Sequence, residues 1–158
     1  MSIEIEIVDK SAIKRKDVLE VLEKLDDHYT PPISSLVDLT TYAGKIVQNA
    51  EILFIKSGTK TVGMSAVYCN DYDNYTAFIT TIGMIKEYQG QGLGKKLLEK
   101  SIELARSEGM REIKLEVHKD NISAINFYKR NYFIVKDEKL RLLSSKDRQR
   151  WLIMGKMI

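Results

Sequence analysis

One cysteine, two histidines and two prolines in 158 residues close off several possibilities at once. A lone Cys69 forms no intrachain disulfide. One thiol with two imidazoles, His28 and His118, falls short of the ligand set of a structural zinc site, so no metal is expected. No stretch approaches the ~20 apolar residues of a membrane helix. The opening Met-Ser-Ile-Glu-Ile-Glu-Ile has neither the basic flank nor the apolar run of a secretory leader. The expectation is a cytoplasmic chain with no membrane partner. Hydrophobic residues make up 44% and charged residues 30%, a balance that excludes disordered and fibrous classes. The length suits a single domain over 1–158 that buries roughly 70% of its unfolded surface without staples.

The formal net charge is only +3, but residues 1–80 carry 8 Lys and Arg against 12 Asp and Glu, whereas residues 81–158 carry 17 against 10. Such asymmetry suits a second half that meets an anion and a first half that attracts a cation; scattered solvated charge is the plainer alternative. The basic stretch from Lys136 to Arg150 interleaves Asp137, Glu138 and Asp147 and offers no aromatic platform, so no nucleic-acid partner is expected.

Hydrophobic periodicity sets out the elements. Ile3, Ile5 and Ile7 alternate with glutamates as in a strand with one buried face. Val18, Leu22 and Leu25 mark a helix that Pro31 and Pro32 close, because neither proline supplies a helical N–H. Leu36, Leu39, Tyr42, Ala43, Ile46 and Val47 give a second helical stripe. Glu51 to Lys56, a turn at Ser57-Gly58, and Lys60 to Cys69 read as a hairpin, and Tyr75 to Ile85 as a further strand. Leu93, Leu97, Leu98, Ile102 and Ala105 share a helical face that stops at Gly109. Arg111 to His118 is a strand, Asp120 or Asn121 caps a helix bearing Ala124, Ile125 and Tyr128, and strands follow at Phe133 to Val135 and Arg150 to Ile158. Lys136 to Arg150 has no clear period. The order β-α-α-β-β-β-α-β-α-β-β implies a mixed α/β (α+β) sheet with helices on both faces.

Gln89-Gly90-Gln91-Gly92-Leu93-Gly94 lies between a strand and a helix, where glycines let the backbone approach an anion and the first helical N–H groups point at it. Spacing separates the candidates. A dinucleotide fingerprint requires a third glycine where Lys95 stands. A nucleoside-triphosphate loop requires glycine at Gln89 and Ser or Thr at Lys96. A plain strand-to-helix turn is the structural alternative.

The loop does match the Gln/Arg-x-x-Gly-x-Gly/Ala motif of the GNAT acyl-CoA N-acyltransferase superfamily, and Ile82 to Tyr88 resembles the strand and turn before that motif. Asn121-Ile122-Ser123-Ala124-Ile125-Asn126-Phe127-Tyr128 is similar to the family's Asn-x-x-Ala-x-x-x-Tyr helix. The matching block runs from about Tyr75 to Phe133. Two departures stand out. Tyr132-Phe133 occupies the place of the family's common Gly-Phe, and Thr80 stands where many members carry a glutamate. The resemblance implies a mostly antiparallel sheet splayed between strands four and five near Met84, with acetyl-CoA in the V.

It also implies roles. Backbone N–H groups of Gln89, Gly90, Gln91, Gly92, Leu93, Gly94 and Lys95 would hold the pyrophosphate, with Lys95 and Lys96 adding charge. Ile82, Gly83 and Met84 would pair with the pantetheine arm, and the Met84 N–H would polarise the thioester carbonyl. Asn121 would bond the arm, beside its role as an N-cap. Tyr128 would be the general acid for the leaving thiolate, against the alternative of a core tyrosine in register with Ala124. Glu116 and His118 share a strand face and are the candidates for a base acting through water. Cys69 and His28 read as a small buried residue and a surface residue.

The function implied is acetyl transfer to a primary amine of a small molecule, with an amino sugar among the acceptors considered. The alternatives are a protein N-terminal or lysine acetyltransferase and a non-catalytic acyl-CoA-binding module on the same fold, which would have no need of Tyr128. The partners are acetyl-CoA and an amine acceptor, in a monomer or homodimer. Calorimetric titration is expected to show binding of coenzyme A and none of NAD; the reverse result would remove the loop assignment.

Overall fold

A computed structural model describes residues 2–142 and 147–158. Among these residues the elements in chain order are β1 (Ile3–Ile7), α1 (Arg15–Leu25), α2 (Leu39–Asn49), β2 (Glu51–Ser57), β3 (Lys60–Asp71), β4 (Thr76–Met84), α3 (Leu93–Ser107), β5 (Glu112–His118), α4 (Ile122–Arg130), β6 (Ile134–Leu142) and β7 (Arg148–Met157). The strands form one mixed sheet in the order β1-β2-β3-β4-β5-β7-β6. Every neighbouring pair is antiparallel except β4 with β5, which is parallel and joined through α3, as a parallel pair requires a crossover.

Local chemistry starts each helix differently. Asp17 accepts the Lys14 N–H at 2.9 Å before α1, and the Asp38 carboxylate takes the Thr41 N–H at 2.9 Å as the N-cap of α2. Asn121 caps α4 through the Ala124 N–H at 3.3 Å. Gly92 opens α3 with no side-chain cap at all. Asp26 closes the α1–α2 connection by accepting the Ser34 N–H and hydroxyl at 2.8 and 2.6 Å.

Residues of β2 and β3 are buried on both sides of the strand, because helices cover both faces there. Val18, Val21, Leu22 and Leu25 of α1 and Ala43 and Ile46 of α2 pack with Ile52, Phe54, Met64 and Ala66. On the opposite face, Leu98, Ile102 and Ala105 of α3 and Ile125 and Tyr128 of α4 pack with Ala77, Ile79, Ile113, Leu115, Val117 and Met154.

Three elements differ from the sequence expectation. Ile7 is 61% exposed, because β1 is an edge strand with little above its last residues. The strand expected at Phe133 to Val135 runs on to Leu142 and pairs with β7; of the stretch without a clear period, residues 143–146 lie outside the described residues. β6 is an exposed edge, so no buried face imposes an alternation on it. At the departure from Gly-Phe, Tyr132 adopts φ 68°, a left-handed conformation in which a side chain is strained. The turn is thus kept without its glycine.

One polar pair lies inside the α3 face. The Ser65 hydroxyl of β3 and the Ser101 hydroxyl of α3, both fully buried, are 2.7 Å apart, and Ser101 donates to the Leu97 carbonyl at 2.8 Å. With Ser101 committed to that carbonyl, Ser65 is the donor of the pair. Ser101→Ala is therefore expected to strand the Ser65 hydroxyl and cost about 1–3 kcal/mol. The double variant Ser65→Ala/Ser101→Ala is expected to be more stable than this single one. Chemical denaturation of the three proteins checks the order, and an additive double variant would contradict it.

Candidate active site

The parallel register between β4 and β5 runs from Thr76↔Glu112 to Ile79↔Leu115 and stops. Beyond it β4 continues to Met84 paired with β3, and β5 continues to His118 paired with β7. A wedge opens between them, starting four residues earlier on β4 than the expected splay near Met84. At its apex the β3 register skips Thr80, with Ala66 opposite Thr81 and Val67 opposite Ile79. This bulge lets successive threonines meet the α1–α2 layer, as bulges re-aim side chains. The Tyr42 hydroxyl donates to the Thr80 carbonyl at 2.8 Å, and the Tyr29 hydroxyl lies 2.7 Å from Thr81 Oγ1.

The edge of β4 that faces the wedge has lost its partner strand, and side chains take up its carbonyls. Tyr29 donates to the Ile82 carbonyl at 2.8 Å, and the Gln89 amide donates to the Met84 carbonyl at 3.0 Å. The Ile85 N–H donates to the Val62 carbonyl of β3 at 2.9 Å. By strand alternation, the N–H groups of Met84 and Ile82 point the other way, into the wedge. Gly83 sits under Tyr29, and a Cβ there would lie 2.8 Å from the phenol oxygen and 3.3 Å from its ring.

At the open end stands the glycine loop. Gly90 and Gly92 have φ 79° and 78°, and a Cβ on either would meet nothing within 4 Å, so backbone conformation and not crowding selects glycine at both. The Lys96 N–H, 3.3 Å from the Gly92 carbonyl, begins the α3 ladder. The first turn of α3 holds no acidic residue and carries Lys95 and Lys96. Two cations at the positive end of a helix dipole oppose it. An uncapped N-terminus, bare glycines beside open space and unfavourably placed lysines fit a bound pyrophosphate. Leu93 turns its side chain into the core, so its backbone alone is available to a ligand.

From the α4 side, Tyr128 enters the wedge. It is 9% exposed, between the rings of Phe127 and Phe133 with centroids 5.3 and 5.7 Å away. No residue among those described hydrogen-bonds its hydroxyl. Burial pushes its phenol pKa well above the ordinary range. Tyr29 is raised in the same way, first by burial and further by the neighbouring Tyr128. Asn121 uses its carbonyl oxygen on the Ala124 N–H, which leaves its amide N–H groups for another partner.

Glu116 and His118 do share a face of β5, opposite the α3–α4 core, and lie past the end of the parallel register. Lys139 and Arg141 of β6 hold the Glu116 carboxylate at 3.3 and 3.0 Å. His118 accepts the Asp120 N–H at Nδ1, 3.1 Å away, so the neutral ring carries its proton on Nε2. Asp71 lies at the other end of β4, where it accepts the Asn74 N–H at 3.1 Å and shapes the β3–β4 turn. Cys69 is buried in the α3-side core and His28 lies in the turn after α1. Sequence reasoning missed Tyr29, Tyr42 and Arg141. The first two carry no motif, and only the period-two alternation of Lys139 and Arg141 could have flagged a common face.

A family model described as "Acetyltransferase (GNAT) family" matches residues 18–132. N-alpha-acetyltransferase 30 of Schizosaccharomyces pombe is 40% identical over 53 residues, 34% of this chain and 35% of that protein. Streptothricin acetyltransferase A of Bacillus subtilis is 39% identical over 62 residues, 39% of this chain and 36% of that protein. The chain thus spans about a third of the length of these curated relatives. In fold, the ribosomal-protein-S18-alanine N-acetyltransferase of Escherichia coli superposes with a TM-score of 0.77 at 19% identity, covering 99% of this chain and 94% of that one.

Gly83→Ala is expected to displace the Tyr29 hydroxyl and break its bonds to Thr81 and Ile82, costing about 1–3 kcal/mol. Adding Tyr29→Phe to that variant removes the clashing oxygen and is expected to recover part of the loss. Melting temperatures of the single and double variants check this, and a Gly83→Ala protein as stable as the parent would contradict it.

Proposed function

The chain belongs to the GNAT acetyltransferase family, and on that premise we propose that it transfers an acetyl group from acetyl-CoA to a primary amine by direct attack within the β4–β5 wedge. The observation that carries the reading is the unpaired edge of β4. Its two carbonyls are taken by Tyr29 and Gln89 while the N–H groups of Ile82 and Met84 face the gap. Residues 89–95 would hold the pyrophosphate, and Ile82 to Met84 and Asn121 the arm that follows it.

When bound, acetyl-CoA would supply an acetyl thioester within the wedge, beside Met84. The Met84 N–H is directed so as to donate to a carbonyl oxygen held there, the arrangement that stabilises developing negative charge. Tyr128 keeps its proton because burial raises its pKa, and it delivers that proton to the departing sulfur. Of the two base candidates, Glu116 is favoured. His118 Nδ1 is committed to the Asp120 N–H and its other nitrogen is a donor. Lys139 and Arg141 hold Glu116 in place just past the end of the β4–β5 register, from which it would take a proton from the amine directly or through water. A non-catalytic coenzyme A module accounts less well for a buried phenol with no hydrogen-bond partner among the described residues.

Tyr128→Phe is expected to lower kcat about 10²–10⁴-fold while leaving acetyl-CoA affinity and the melting temperature close to those of the parent. The raised pKa keeps the acid form present to higher pH. The parent should therefore show no alkaline loss of kcat from this group below about pH 10, the ordinary phenol value. Steady-state kinetics against pH on both proteins checks this, and a variant that turns over normally would return Tyr128 to the core.

A further inference from the structure

Met84 stands opposite Gly63 in the β3–β4 ladder, and the next residue, Ile85, donates its N–H to the Val62 carbonyl at 2.9 Å. Met84 is therefore at a non-hydrogen-bonded position, where the N–H and the C=O both turn away from the partner strand. It presents both to the wedge. The strands close tightly on the other side: a Cβ on Gly63 would lie 2.9 Å from the Gly83 carbonyl oxygen and 3.2 Å from Met84 Cβ. The Met84 backbone is thus fixed towards β3. Towards the wedge its hold is Gln89, whose amide donates to the Met84 carbonyl at 3.0 Å.

The link between these two residues is short and closed. The Tyr88 N–H donates to the Ile85 carbonyl at 3.0 Å and the Gln89 N–H to the Lys86 carbonyl at 3.1 Å. Residues 85–89 form one turn, and the Gln89 side chain ties its end back to the strand before it. Gly90 follows at once with φ 79°, and Gly92 with φ 78°. The chain is stiff before Gln89 and adjustable after it. The bond also has an electrostatic side. A carbonyl left bare beside the Met84 N–H would repel the oxygen of a thioester held there, and a donor on that carbonyl offsets the repulsion. Only the nitrogen of the glutamine amide can serve a carbonyl in this way.

We propose that Gln89 is a positioning residue that couples the two ends of the cofactor groove: it passes the seating of a pyrophosphate on the glycine loop to the Met84 N–H and so aligns the thioester donor. The coupling rests on the acetyl-transfer reading for what the Met84 N–H meets, and it is read without turnover so that the two fail separately. The probe is ADP, which carries the pyrophosphate and no pantetheine arm. Labelling the six methionines with ¹⁵N, with Met84→Leu as the reference, identifies the Met84 amide resonance. ADP is expected to move it saturably in the parent, and to leave those of Met110 and Met154, in the core beneath α3 and α4, in place. Gln89→Met keeps the length of the side chain and removes the donor, at an exposed position where the fold loses little. In that variant ADP is expected to bind by calorimetry while the Met84 resonance stays still. In turnover its kcat is expected to fall about tenfold, the worth of one hydrogen bond, with KM for acetyl-CoA and the melting temperature close to those of the parent. A Met84 resonance that ignores bound ADP in the parent, or responds alike in parent and variant, overturns the coupling and leaves the transferase reading standing. ADP that gives no heat of binding removes the glycine-loop assignment and the coupling with it. A response that depends on Gln89 in a protein that acetylates no amine keeps the coupling and removes the transferase reading.

Discussion

Backbone N–H and C=O groups must find partners, and two parallel strands that separate leave a row of them without any. The separation of β4 from β5 after Ile79 and Leu115 is the feature on which the rest of this molecule depends. Tyr29 reaches in from the α1–α2 connection and Gln89 folds back from the glycine loop, and between them they take the Ile82 and Met84 carbonyls. What remains is a short edge of directed donors. Gly83 is glycine because Tyr29 comes so close, and Thr80 bulges so that both threonines at the apex face the helices that brace them.

Charge is distributed to suit that opening. Three acids of the first half serve local structure: Asp38 at the start of α2, Asp26 in the loop before it, and Asp71 in the β3–β4 turn. The bases of the second half stand where anions are expected. Lys95 and Lys96 lie at the uncapped end of α3, and Lys139 and Arg141 clamp Glu116 across the β5–β7–β6 face.

The two faces of the sheet divide the work in the proposed reaction. Tyr128 comes from α4 on one face, with its hydroxyl kept protonated by burial. Glu116 stands on the other, beside Trp151 and the charged hairpin strands. Proton delivery and proton removal would thereby fall on opposite sides of one gap.

Much of this was legible from residue order alone. The amphipathic stripes of α1, α2 and α3, the hairpin at Ser57-Gly58 and the glycines at 90 and 92 follow from periods of 3.6 and 2 and from the special backbone freedom of glycine, all of which act within a few residues. The glycine loop and the Asn121–Tyr128 helix also named the family, because their spacing is local. The extent of β6 was not legible, since an exposed edge strand is under no demand to alternate. Nor were Tyr29, Arg141 and Trp151, whose partners are distant in sequence: Tyr29 meets Ile82 fifty-three residues on, and Arg141 meets Glu116 twenty-five residues back. Local chemistry determined the elements and the anion loop. Which carbonyls lost their strand and which phenol replaced it were decided by tertiary structure, because those contacts exist only after the sheet brings distant strands together.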